Sequence, residues 1–462
     1  MFVVMALVTT VATTPLTKLL YPPWYRVKLE KWKRGEIDWD GNPLTPTDSE
    51  LVESQEIIQD ANIRRLLVYL RLDSLPSLFT FISLLGEEYA SKSTTAPSAD
   101  PNEKLSIKKR PLEVHALRIV ELTERTSTVM KVTEGGDASR RDPVVNAVRT
   151  FSQLNDVAIS GSVVVAPEES YPETVSTHAL EQRSDFVLIP WSEIGSTTED
   201  QSISYRVSAE DRFTGRSHLD FIRNTLSQAV CNTGIFISNG FSGIAPLEKT
   251  RSAFSRTISI TSMRSHKEAA LPPIADKSHH IFLPYIGGVD DRVALRFVLQ
   301  LAKNPHVTAT IAHLTFVDNE DDDEIKAAAA FEDRSSIDQK HTISTEITAQ
   351  DGSFLSAARS GLPSGLGTRI TFVEASVSAG RAAGRVLELA AESVGQNPRN
   401  AGDIVVVGRR HPRLLTTIRT PDQSCTVQDM QKTIGVLGEK VALSNLRASI
   451  LVIQAAGKGL DA

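Results

Sequence analysis

Short apolar runs separated by polar stretches are the main pattern along this chain. Each run has four to six residues rich in Val, Ile, Leu and Phe and ends at a turn residue. Runs of this length are typical of strands buried on both faces of a parallel sheet. The clearest runs lie at 66–70, 185–190, 234–237, 281–285, 403–408 and 449–452.

These runs fall into pairs. Their first residues are 66 and 281, 185 and 403, and 234 and 449, which are offsets of 215, 218 and 215. A nearly constant offset indicates an internal duplication. The alternative is coincidence, because any α/β chain contains such runs, and the matched spacing within each half argues against it.

Helical patterns lie between the runs, and further strands complete each half. The first half is predicted to have strands at 66–70, 114–122, 157–165, 185–190 and 234–237, with helices at 75–85, 144–154, 174–182 and 221–230. The second half is predicted to have strands at 281–285, 308–317, 369–375, 403–407 and 449–452, with helices at 292–302, 381–392 and 436–445. This alternation predicts an α/β fold of two doubly wound, five-stranded parallel-sheet domains.

The predicted domains span residues 61–245 and 278–457, with a linker at 246–277. Polar insertions rich in Ser, Thr, Gly, Pro or acidic residues are predicted to be loops. They lie at 91–111, 196–216, 319–323 and 351–368.

The first 20 residues differ from the rest. Residues 1–16 carry no charge, and basic residues follow at 18, 26, 28, 31, 33 and 34. A bilayer span needs about 20 apolar residues, and basic residues beside a membrane helix stay in the cytosol. We interpret residues 1–20 as the remnant of a last transmembrane helix and 21–60 as a juxtamembrane linker, with the chain after residue 20 cytosolic. The alternative is an apolar N-terminus packed on the first domain.

Composition argues against several classes of protein. The chain is 41% hydrophobic and 23% charged, which is ordinary for a globular protein. Its net charge of −6 gives no basic field, so no nucleic-acid partner is predicted. Cys231 and Cys425 are the two cysteines, and the ten histidines lack ligand spacing, so we predict no disulfide framework and no metal site. Without a Gly-x-Ser-x-Gly elbow or a full P-loop, no catalytic residue is assigned and no enzyme is predicted.

Several segments resemble a known family. They lie at 1–10, 13–16, 21–22, 117–127, 285–295 and 407–411. The fifth contains Gly-Gly-Val-Asp-Asp-Arg-Val-Ala-Leu at 287–295, similar to a signature of the monovalent cation/proton antiporter-2 family, and the last is Val-Gly-Arg-Arg-His. Together they resemble the C-terminal cytosolic region of a fungal potassium/proton antiporter, which in this family consists of tandem universal-stress-protein-like domains.

The resemblance implies a regulatory role beside a transport core. Its partners would be the transmembrane antiporter core, the membrane and a second copy in a homodimer. The family's transport site lies on earlier membrane helices outside this sequence, so we expect a piece of a longer antiporter or a diverged tail. The organelle is left open, with an endomembrane included. The candidate regulatory residues are Gly287, Gly288, Asp291, Arg292, Arg409, Arg410 and His411.

Two readings of these residues stay open. Asp290 or Asp291 could instead cap the following helix and offset its dipole, and the arginines could grip an anion or belong to a solvated loop. His411 is a candidate proton sensor, with an ordinary surface histidine as the alternative.

A nucleotide site is the remaining candidate. The nucleotide-binding universal stress proteins carry an acidic residue after the first strand and Gly-x2-Gly-x9-Gly-Ser after the fourth. Here Asp290 and Gly408 match, His411 replaces the second glycine, and Gly438, the candidate third, comes late and precedes Glu439. No cofactor is therefore predicted, with an adenine nucleotide at Asp290, Gly408 and Gly438 as the open possibility. The alternatives to a regulatory region are a free-standing tandem nucleotide sensor and an enzyme of the nucleotide α-hydrolase kind.

Overall fold

The structure is a computed structural model, and it describes residues 63–90, 112–122, 136–155, 157–197, 211–241, 278–316, 351–396, 402–411, 414 and 425–456. The chain divides into two compact units: residues 1–60 with 356–361, and residues 61–355 with 362–462. The elements below belong to the second unit, apart from 356–361. The predicted membrane remnant at 1–20, the juxtamembrane linker at 21–60 and the linker at 246–277 lie outside the described residues.

The first half contains five strands and the helices that connect them. The strands are β1 Arg65–Tyr69, β2 Glu113–Glu121, β3 Ala158–Ala166, β4 Phe186–Pro190 and β5 Asn232–Ile237. The helices are α1 Leu75–Ala90, α2 Gly136–Arg141, α3 Pro143–Asn155, α4 Tyr171–Glu181 and α5 Arg216–Ser227, with 3-10 turns at Glu168–Ser170 and Asp211–Phe213.

The second half repeats this order. Its strands are β6 His279–Tyr285, β7 Val307–Phe316, β8 Ile370–Val377, β9 Ile404–Gly408 and β10 Ser449–Gln454. Its helices are α6 Val289–Leu301, α7 at 351–360, α8 Ser364–Gly367, α9 Ala382–Ser393 and α10 Cys425–Leu443, with a 3-10 turn at Ala379–Arg381.

All ten strands form one sheet in the order β3-β2-β1-β4-β5-β10-β9-β6-β7-β8. Neighbouring strands within each half are parallel, and β5 pairs with β10 antiparallel. In each half the order reverses beside the first strand, so the crevice at its carboxyl end is where open α/β sheets place ligands. The predicted α/β fold class with two parallel five-stranded halves is confirmed.

We call the β5–β10 junction the seam. Phe236 lies opposite Leu451 in its ladder. Beneath it, the Phe81 ring stacks on Phe297 at 5.9 Å between centroids and contacts Phe236 at 5.2 Å. Because Phe81 belongs to α1 and Phe297 to α6, the first helices of both halves share one apolar core across the seam.

The strand predictions agree with the structure to within two residues, whereas several helix predictions do not. Helix α1 ends five residues later than predicted, α5 starts five residues earlier, and α2 was not predicted. The region at 351–368 was predicted to be a loop, but residues 351–360 are helical and Ser364–Gly367 forms a further turn of helix. The predicted helix at 436–445 corresponds to the part of α10 that follows the non-helical Gly435, and the helical part from Cys425 up to this kink was not predicted.

Two kinds of feature are absent from the described residues. No helix there combines the length and apolarity that crossing a bilayer demands. In the same part of the chain, no group of three or more His, Cys, Asp and Glu side chains is arranged to hold a metal ion.

Candidate functional site

The site lies at the carboxyl end of β6, where the chain turns into α6. Gly287 and Gly288 have φ of 111° and 108°, a region that L side chains rarely enter, and they bring the chain back over the strand end. Helix α6 follows with Asp290 and Asp291 in its first turn, where a negative charge offsets the helix dipole. Both carboxylates are buried, at 1% and 0% exposure.

Asp290 holds the segment that follows β9. Its Oδ2 accepts from the Arg410 backbone N–H and Nε, both at 3.0 Å, and its Oδ1 accepts from Arg410 Nη2 at 2.7 Å. Oδ1 also accepts from the Ala455 N–H at 2.9 Å, just past β10. One carboxylate therefore joins the ends of three strands, β6, β9 and β10.

Asp291 closes the turn and contacts the same segment. Its Oδ2 accepts from the Ile286 and Gly287 amides at 2.8 and 2.9 Å, and its Oδ1 accepts from His411 Nε2 at 3.0 Å. A Cβ at Gly408 would collide with Asp291 Oδ1, so glycine at the end of β9 leaves the space this carboxylate occupies.

Asp351 is a third carboxylate at this edge. Its Oδ2 accepts from the Gly288 amide at 2.8 Å, and its Oδ1 accepts from Arg292 Nε at 2.6 Å. No sequence motif points to Asp351, because it stands far from the Gly-Gly-Val-Asp-Asp motif at the start of a stretch interpreted as a loop.

His411 is the cation that titrates in this cluster. It is 3% exposed. Burial lowers its pKa, but the facing carboxylates, Asp291 first and then Asp290, outweigh burial and raise the pKa above the ordinary histidine value. With His411 protonated, the pairs Asp290–Arg410, Asp291–His411 and Asp351–Arg292 balance in charge.

Arg409 connects the site to the seam. Its guanidinium donates to the Thr433 and Lys432 carbonyls, both at 2.7 Å, and to Gln454 Oε1 at 2.5 Å. Gln454 Nε2 in turn donates to the Leu226 carbonyl at the end of α5, at 2.8 Å. The segment after β9 thus contacts the first half through one side-chain amide.

The predicted nucleotide residues are only partly brought together. Asp290 and Gly408 are adjacent, since a Cβ on Gly408 would lie 3.2 Å from Asp290 Cβ. Gly438 lies inside α10 and packs against β10, where its Cβ would meet Val452 at 3.2 Å. The glycine with non-helical geometry is Gly435, which the sequence analysis did not single out. Adenine-nucleotide binding stays a prediction, and its acidic candidate already accepts four hydrogen bonds.

The first half has a different network at the same place. The buried Arg71 follows β1, donates to Asp73 at 3.2 Å and to Ser192 Oγ at 3.1 Å, and so joins the ends of β1 and β4. The fully buried His218 accepts at Nε2 from the Ser192 N–H at 3.1 Å. None of these residues was predicted from the sequence, because the motifs around them differ from those of the second half.

The buried His218 is expected to lower the free energy of unfolding in acid. Burial first, and then the charge of Arg71, hold the pKa of His218 well below the ordinary histidine value. Below about pH 6.5 this histidine therefore binds a proton in the unfolded chain but stays neutral in the folded chain. The free energy of unfolding then falls by up to about 1.4 kcal/mol per pH unit. We expect His218→Gln to reduce this slope in urea unfolding measured from about pH 7.5 to pH 5.5.

The exposed His306 provides the control for this experiment. His306→Gln should keep the wild-type slope. Equal slopes in wild type and His218→Gln would contradict the prediction.

Comparisons with known proteins show which proteins this chain resembles in sequence. Residues 114–241 match the family model described as the plant cation/H(+) antiporter domain. Cation/H(+) antiporter 15 of Arabidopsis thaliana is 24% identical over 344 residues, which are 72% of this chain and 32% of that protein. Cation/H(+) antiporter 14 of the same plant is 22% identical over 404 residues, 86% of this chain and 38% of that protein. The chain is similar to plant cation/H(+) antiporters. It spans about a third of the length of these relatives.

Two solved structures are similar to this chain at low TM-scores. A universal stress protein from Archaeoglobus fulgidus is 10% identical with a TM-score of 0.36, covering 85% of this chain and 96% of its own. One from Pseudomonas aeruginosa is 10% identical with a TM-score of 0.35, covering 85% and 93%. The α/β fold class follows from the strand order and connections of this sheet.

Proposed function

We propose that this chain is the regulatory region of a cation/proton antiporter. The observation that carries the proposal is the similarity to cation/H(+) antiporters over 72% of this chain and 32% of the relative. A region that corresponds to a minor part of a transporter suits a role in controlling transport. The proposal gives the chain no catalytic step.

The site supports a regulatory role through its connections. Asp290 joins three strand ends, and Arg409 reaches Gln454, which contacts the first half at Leu226. A change at this edge therefore has a direct route to the seam. A regulatory region needs such a route between the place where a signal acts and the surface that touches the transport core.

The finer parts of the proposal come from the motifs. We propose potassium as the cation, a fungal source, a membrane tether through residues 1–20, and a cytosolic position for the remaining chain. A homodimer and contact with the transmembrane core complete it. Each of these goes beyond the general similarity to cation/H(+) antiporters.

Cell fractionation tests the proposal. With an epitope tag at the C-terminus of the genomic copy, we expect the protein in the membrane fraction, in a band far above 50.4 kDa. Potassium-driven proton movement in vesicles from these cells should exceed that in vesicles from cells lacking the gene. Sodium at equal concentration is the control for the cation.

Two results would contradict the proposal. A tagged band of 50.4 kDa confined to the soluble fraction would remove the link to a transport core. Equal proton movement with and without the gene would remove the link to antiport, and equal responses to sodium and potassium would contradict only the choice of potassium.

A further inference from the structure

We propose that His411 is a proton-operated latch, which holds the segment after β9 on the start of α6 while it is protonated and releases the segment when it loses the proton. This deepens the proposed function, on which the regulatory meaning of the latch rests. The latch itself is a property of this chain and is measured on it alone.

Two neighbouring cations fasten the segment to two neighbouring carboxylates. Arg410 binds Asp290, and His411 binds Asp291 through Nε2 at 3.0 Å. A guanidinium stays charged throughout the physiological range, whereas histidine changes charge within it. Of the two ion pairs, the His411–Asp291 pair is the one that a pH change alters.

The surroundings make this charge matter. Asp290 and Asp291 face His411 from α6, Arg409 and Arg410 flank it on its own segment, and Tyr285 at the end of β6 lies close enough to Asp291 to feel its charge. Within the described residues His411 Nδ1 has no hydrogen-bond partner, so Asp291 provides the imidazole's hydrogen bond there.

Loss of the proton unbalances this pair. Asp291 is fully buried, and when His411 loses its Nδ1 proton the neutral ring still donates through Nε2–H, beside the Ile286 and Gly287 amides. What the carboxylate loses is its counter-charge. A buried charge that loses its counter-charge is costly. The cost falls as the segment moves away and water reaches the carboxylate.

The pH range follows from the direction of the shift. Facing carboxylates raise the pKa of His411 above its value in a released segment, about 6.5, despite burial. The stabilisation is therefore complete below about pH 6.5 and is lost as pH rises through the higher pKa of the closed state. The latch is closed in acid and opens toward alkaline pH.

Release of the segment after β9 also affects residues outside the site. Arg409 belongs to the same segment and binds Gln454, which contacts Leu226 in the first half. Movement of the segment therefore disturbs both the strand ends joined by Asp290 and the seam. Through this connection the proton concentration near the second half alters the relation of the two halves.

The test follows the histidine ring and the segment in the same full-length chain. Ring carbon signals of labelled histidine, with His411 assigned by its absence in His411→Gln, should titrate above about pH 6.5. Deuterium exchange of peptides covering 402–411 and 451–456, corrected for intrinsic pH dependence, should accelerate over the same range. Each unit of pKa difference corresponds to about a tenfold change in the closing equilibrium.

Controls within the chain make the result specific. The Leu70 amide, bonded to the Leu117 carbonyl of β2 in the first half, should show no such pH step. His411→Gln, which can donate from a similar position but carries no charge, should remove the step. If this variant fails to fold, through-bond experiments on the wild-type chain assign the His411 ring, and the wild-type titration and exchange still decide the question.

Two results would overturn the latch. One is a His411 ring that titrates at or below about pH 6.5. The other is a segment whose corrected exchange does not change while the ring titrates. Neither result bears on membrane location or antiport, so a failure here is distinguishable from failure of the proposed function.

Discussion

Replacing Asp291 with alanine is expected to lower the free energy of unfolding by about 3–5 kcal/mol, the cost typical of breaking a buried ion pair from one side. The variant leaves His411 buried without its counter-charge and removes the acceptor for the Ile286 and Gly287 amides. Urea unfolding of the full chain, followed by circular dichroism near pH 6, measures the loss.

Two further variants separate the causes. Asp291→Asn keeps an acceptor for the two amides but loses the charge. Its free energy of unfolding should therefore lie between those of wild type and Asp291→Ala. Asp220→Ala removes an exposed carboxylate paired with Arg223 on α5 and should cost at most about 1 kcal/mol. A loss below about 1 kcal/mol in Asp291→Ala would show that this carboxylate is not a structural centre of the site.

The strands were predictable because a strand that is buried on both faces of the sheet appears in the sequence as a run of apolar residues. All five residues of β9 and all six of β10 are buried, and the sequence shows each as an unbroken apolar stretch or nearly so. The duplication was predictable for the same reason, since both halves keep runs at matching positions. Parallel pairing within each half followed from the intervening helices.

The seam was not predictable from these patterns. β5 and β10 each end a half, and nothing in their residues indicates that they pair with each other in antiparallel orientation. The apolar runs at 235–237 and 450–453 within them do signal that neither is an exposed edge. The partner was missing from the prediction because strand pairing between repeats depends on three-dimensional complementarity rather than on local sequence.

The site was predicted in its parts but not in its connections. The motifs identified Asp290, Asp291, Arg410 and His411, and the structure places them in contact. Asp351 carries no signal of its own, because a long insertion separates it from the motif. His218 looks like a polar helix residue in the sequence, yet it is fully buried.

Gly435→Ala is expected to destabilise the chain by about 2–6 kcal/mol, the sum of a backbone cost and a packing cost. Gly435 has φ 80° and ψ 165°, a conformation that is essentially confined to glycine, at the kink of α10. A Cβ there would collide with the Arg409 carbonyl oxygen and lie 3.0 Å from its carbon. Backbone atoms cannot give way as a flexible side chain does, so the segment after β9 must shift.

Gly438→Ala is the matched control, three residues along the same helix. Its Cβ would make contacts of 3.2 Å to Val452 and 3.4 Å to Ile434, tight but formed with side chains. Alanine also gains about 0.8–1 kcal/mol in helix propensity, so we expect a change within about 1 kcal/mol of zero. Equal unfolding free energies for the two variants would show that the kink is not maintained by Gly435. A large loss confined to Gly435→Ala would show that the kink sets the position of Arg409, and through it the connection between the site and the seam.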